Sequence, residues 1–101
     1  MNFDDFRESL KEARPPKELR PLLRALWLDG QGDWKAAHEV AQECEGRDGA
    51  WVHAYLHRKE GDASNAAYWY GQASRSPCAD TLDEEWEAIV RYFLSLPIGA
   101  R

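Results

Sequence analysis

Apolar residues recur along this chain at intervals of three and four, and Gly, Pro and Asp interrupt the pattern at several points. Such spacing predicts amphipathic helices separated by turns. Phe3, Phe6, Leu10 and Ala13 predict a first helix over 3–13, with Asp4 and Asp5 favouring its N-terminal end. Pro15 and Pro16 end it, because neither has a backbone N–H and each disfavours helix in the residue before it. Leu19, Leu22, Leu23, Leu26 and Trp27 predict a second helix over about 17–29. Pro21 is tolerated only in a first turn, which moves the start of that helix towards Arg20. After the turn Gly30-Gln31-Gly32, Asp33 is placed to cap a third helix reaching about Cys44, with Trp34, Ala37, Val40, Ala41 and Cys44 on its apolar face. Residues 45–49 read as a loop.

The stretch from Trp51 to Ala73 organises the rest. Gly61 can take the left-handed conformation that closes a helix, and Asp62 can cap the next, so two arms are predicted over 50–60 and 63–74. Ala54, Ala66 and Ala73 allow the arms to approach closely. Tyr68, Trp69 and Tyr70 are consecutive, so the second arm is expected to be covered on more than one side. Residues 76–80 form a loop, and Thr81-Leu82-Asp83-Glu84 fits a capping box. Trp86, Ile89, Val90, Phe93 and Leu94 then define a last helix over 82–96, before Pro97. The expected fold class is all-α: one domain over 1–101, a compact stack of about six helices in three helical hairpins, with repeat-like hairpins at about 18–45 and 50–75.

Gly32-Asp33 recurs as Gly61-Asp62, each pair lying between a helix and an alanine-rich partner. Self-similarity on this scale marks a helical-hairpin repeat. Over about residues 18–77 the chain resembles the tetratricopeptide repeat, through the small residue Ala54, the pair Ala66 and Tyr70, and the later Pro77. Ala50, His53 and His57 stand where that repeat usually has Trp, Leu and Tyr, and the first copy keeps Ala25, Leu28 and Ala37. The resemblance implies stacked hairpins and a concave face that takes a peptide. The run from Ala50 to Asp62, followed by Asn65 to Tyr70, is also similar to a group of small bacterial proteins with no assigned activity.

Composition narrows the function classes. Of 101 residues, 44% are hydrophobic and 12% aromatic, which excludes a disordered chain. Trp27, Trp34, Trp51, Trp69 and Trp86 fall in five different predicted helices, each a bulky anchor. A net charge of -5 argues against general binding to nucleic acid or an anionic membrane. There is no signal-type segment and no apolar run of membrane-spanning length, so a cytoplasmic location is expected. Cys44 and Cys78 match no metal-binding spacing and read as reduced thiols.

Two clusters are candidates for chemistry. His53, His57 and Glu60 share one side of the first arm by their i, i+4, i+7 spacing, and with His38 or Asp62 they offer nitrogen and oxygen ligands to a divalent metal. The same histidines equally suit packing positions in the hairpin, and the sequence predicts neither a bound metal nor a cofactor. Trp51, Tyr55, Arg58 and Lys59 lie on the side that lines the concave face of a tetratricopeptide-like stack, where aromatic rings beside cations suit a peptide. Trp51 and Tyr55 serve equally as core. Asn65 is placed either to bond a ligand backbone or to support the Gly61-Asp62 turn. Lys17, Arg20 and Arg24 form a basic row that reads as a solvated face. No nucleophile motif or phosphate loop occurs, so no catalytic residue is predicted. The expected function is a non-enzymatic module binding a peptide or protein segment, and the alternative is a small metal-binding or hydrolytic protein using the His53, His57 and Glu60 face.

Overall fold

The computed structural model describes residues 1–97, and among them the chain forms six α-helices and no strand. These are α1 (Phe3–Ser9), α2 (Pro21–Gly30), α3 (Trp34–Gln42), α4 (Gly46–Lys59), α5 (Ala63–Gln72) and α6 (Leu82–Ser95). Side-chain caps fix where four of them begin. Asn2 accepts from the Asp5 amide, Asp33 from Ala36 and Asp62 from Asn65, at 2.8, 3.1 and 3.1 Å. At α6 the capping box closes in both directions: the Glu84 amide donates to Thr81 Oγ1 at 3.1 Å, and the Thr81 amide donates to Glu84 Oε1 at 2.9 Å. None of these helices is long and apolar enough to cross a membrane.

The boundaries depart from the sequence pattern where packing overrides local preference. α1 stops at Ser9 and continues only as a turn, because beyond Leu10 the residues Lys11, Glu12, Ala13 and Arg14 are all exposed. α2 starts at Pro21, the position where a missing N–H costs nothing. α3 ends at Gln42 instead of Cys44. The expected loop over 45–49 is instead the first turn of α4. Gly49 makes this possible, since a side chain there would collide with the Cys44 carbonyl. α5 ends at Gln72, two residues short of the expected Ser74, and Ser74 itself has a φ of 58°.

α2 folds back on α3, α4 folds back on α5, and α1 packs on α6 through Phe3 and Phe6 against Trp86, at ring centroid distances of 5.8 and 5.9 Å. α4 also touches α2, α3 and α6, and every residue from Gly49 to His57 is buried. A helix covered all round is a core helix, so α4 is the axis of the domain. α5 was expected to be the helix covered on several sides, but it buries only Ala66 and Tyr70 within its length, and Tyr68 is 58% exposed. Three of the tryptophans act as anchors whose N–H groups bond across helices. Trp27 donates to Ser9 Oγ at 3.1 Å, Trp34 to the Leu56 carbonyl at 2.7 Å and Trp86 to the Leu26 carbonyl at 2.9 Å.

Two carboxylates lie inside the helical stack, Asp29 on α2 and Glu85 on α6, each 2% exposed. Glu85 receives Trp51 Nε1 at 3.2 Å, Arg58 Nη1 at 2.8 Å and the Tyr70 hydroxyl at 2.7 and 2.8 Å to its two oxygens. Arg58 also donates to the Asp80 carbonyl, which ties the loop before α6 to α4. Asp29 receives the Tyr55 hydroxyl at 2.7 Å and Lys59 Nζ at 2.9 Å. Burial first, and then the neighbouring carboxylate, push both tyrosine hydroxyls well above their ordinary pKa and keep them protonated donors.

Breaking one partner of a buried charge network leaves the others unmatched. Glu85→Gln is therefore expected to lower unfolding free energy by about 2–4 kcal/mol in urea denaturation, because Arg58 loses its counter-charge and one oxygen acceptor is replaced by a donor. An unchanged denaturation midpoint would show that this carboxylate does not hold α4, α5 and α6 together.

Candidate metal centre

All three histidines of the chain meet between α3, α4 and α5. His38 lies one turn after Trp34 on α3, and His53 and His57 are one turn apart on α4, so each pair shares a helix face. His38 Nε2 and His53 Nε2 are 2.9 Å apart, a hydrogen bond between neutral rings in which one nitrogen donates and the other accepts. The His53 and His57 rings stack at 4.8 Å, while the His38 ring meets them nearly edge-on at 4.6 and 5.1 Å. Trp69 stacks on His53 at 4.0 Å and Trp34 on His38 at 4.9 Å, so an indole closes the cluster on each side. His53 is 8% exposed and His57 9%, leaving His38 as the more open member.

Glu60 Oε1 lies 2.6 Å from His57 Nδ1. A carboxylate accepts only, so this bond places a proton on His57 Nδ1, and in the neutral ring the lone pair is then on Nε2. One nitrogen from each of the three rings lies within 4.8 Å of the others, and His57, Glu60 and Asp62 form a second group of the same tightness. Burial is the main force lowering the pKa of His53, from 6.5 to about 4, with His38 and His57 adding to it. Burial also lowers His38, followed by the influence of His57. Both rings are thus neutral near pH 7, the state that presents a nitrogen lone pair to a cation.

The other expected site residues are directed elsewhere. Trp51 and Arg58 bind Glu85, and Tyr55 and Lys59 bind Asp29, so the four are divided between two internal carboxylates. Trp51 and Tyr55 are buried, Trp51 packs on Tyr92 at 5.6 Å, and the Arg75 guanidinium covers the Trp51 ring at 3.4 Å. Asn65 supports the turn: its side-chain amide donates to Asp62 Oδ2 at 2.8 Å, and the Asn65 backbone N–H, followed by this side-chain bond, holds the Asp62 carboxyl below its usual pKa. Trp34 and Trp69 were seen in the sequence only as core anchors, and here they are the walls of the histidine cluster. Asp29 and Glu85 were not singled out at all. The helical spacing of Glu85 with Ile89 and Phe93 puts it on the apolar stripe of α6, a signal that could have found it.

No protein family, curated protein or solved structure matches this chain.

The neutral imidazoles predict a pH dependence. The folded state holds His53 unprotonated until about pH 4, whereas the unfolded chain binds that proton near 6.5. Between these values the unfolded state carries more protons, so His53 contributes stability that is fully present above about pH 6.5 and is lost as pH falls towards 4. Chemical denaturation across this window is expected to show a shallower slope for His53→Phe than for the parent. Parallel curves would mean that His53 titrates alike in both states.

Proposed function

We propose that this is a small metal-binding protein in which His38, His53 and His57 hold one divalent transition-metal ion. The observation that carries the reading is the convergence of every histidine of the chain on one spot, with the tautomer of His57 fixed by Glu60. Imidazole nitrogen suits zinc, copper, nickel and cobalt, and a carboxylate behind a ligating histidine is the usual arrangement that orients the ring and raises its basicity. Three protein ligands leave a coordination position for water or another small ligand. His38 Nε2 and His53 Nε2 already face each other, so an ion entering between them replaces one weak hydrogen bond. The indoles of Trp34 and Trp69 limit rotation of the rings against which they stack. A peptide-binding wall of Trp51, Tyr55 and Arg58 has less support, because the polar atoms of these side chains already meet internal carboxylates.

Titration of tag-free protein with cobalt(II), followed by visible absorption and by competition with zinc, tests the reading. One ion per chain is expected, with His53→Ala abolishing the signal and Glu60→Gln weakening affinity by about 10- to 100-fold. Absence of saturable binding, or equal affinity in His53→Ala, would refute it.

A further inference from the structure

A second site lies at the opposite end of α4. The first turn of α2, the α3–α4 junction and the last turns of α6 border a half-open cavity of about 780 Å³, within the size range of small-molecule sites. Leu22, Leu23, Phe93 and Leu96 supply apolar walls. Arg20 also lines it. Its Nη2 donates to the Leu96 carbonyl at 3.2 Å, but its Nη1 is buried and, among the described residues, is the only buried side-chain polar atom without a partner. An unpaired guanidinium nitrogen out of water is costly unless an acceptor meets it.

The surroundings favour an anion beside the Arg20 guanidinium. Arg47 lines the same cavity. The N-caps of α2 and α4, Arg20 and Glu45, make no side-chain capping bond, so the free amides at the starts of both helices lie beside the cavity with the positive ends of their dipoles. Two acids also line it, Glu45 and Asp48, and the Asp48 carboxylate accepts from the Tyr92 hydroxyl at 3.3 Å. Neither acid bonds Arg20 Nη1.

We infer that this cavity binds a small amphipathic carboxylate, with its aliphatic body against Leu22, Leu23 and Phe93 and its carboxylate on Arg20. The guanidinium fork matches a carboxylate in a way that a neutral head group does not. This site is independent of the histidine cluster, and its test requires no metal.

Decanoate and 1-decanol, identical in chain length and different in charge, are the probes, each titrated into the full chain and followed by two-dimensional amide NMR. Decanoate is expected to bind saturably and about tenfold or more tighter than decanol, with the largest shifts at Leu22, Arg47 and Phe93. Arg20→Gln should reduce decanoate to the affinity of decanol. Equal affinities for the two probes in the parent, shifts that map elsewhere, or no saturable binding of decanoate would each overturn the inference. The parent comparison decides the matter even if Arg20→Gln folds poorly.

Discussion

The fold depends on keeping two carboxylates, Glu85 and Asp29, out of water. A buried charge costs several kcal/mol unless it is fully matched, so each dictates the placement of its donors. Glu85 takes Trp51 and Arg58 from α4 and Tyr70 from α5. Asp29 takes Tyr55 and Lys59 from α4. Together they fix the rotation of α4 about its own axis. With 3.6 residues per turn, positions 51, 55, 58 and 59 share one side of the helix, and positions 53 and 57 point to the opposite side. His53 and His57 therefore turn towards α3 and α5, where His38, Trp34 and Trp69 meet them. The histidine cluster is a geometric consequence of the carboxylate anchors.

The two polar sides of α4 differ in what they leave over. Around Glu85 and Asp29 each charge has an opposite partner, and the donors converge on acceptors already present. Around the histidines no opposite charge lies at the centre. Three imidazole rings, one already oriented by Glu60, bring their nitrogens to within 4.8 Å, and desolvation of His53 and His38 opposes protonation of those two. A cation with affinity for imidazole is the partner whose charge and chemistry fit that arrangement. The same side of α4 carries no competing lysine or arginine in the cluster.

Much of this was legible in the sequence because it is local. Helix number and class, the caps at Asp33, Asp62 and Thr81, the break at Gly61 and the i, i+4 pairing of His53 with His57 all rest on residues within a turn of one another. Features that rest on distant contacts were not. Two helix ends were missed for nearer reasons: the start of α4 depends on Gly49 passing the Cys44 backbone, and α1 ends where the chain runs out of residues to bury. The aromatic and basic residues Trp51, Tyr55, Arg58 and Lys59 look like a binding wall only until Asp29 and Glu85, each remote in sequence, are placed beside them. The sequence offers His38 or Asp62 as a further ligand beside His53, His57 and Glu60, but the 2.9 Å approach of His38 to His53 comes from the packing of α3 on α4, which no local pattern encodes.

The central claim is that this side of α4 forms one nitrogen-rich coordination sphere. X-ray absorption at the zinc edge of protein loaded with one zinc ion measures that sphere directly. The account predicts outer-shell scattering characteristic of three imidazole rings, with a light-atom ligand completing four-coordination. A spectrum fitted by one imidazole or none, with the ion surrounded by oxygen, would contradict it and leave the three histidines as packing between the two indoles.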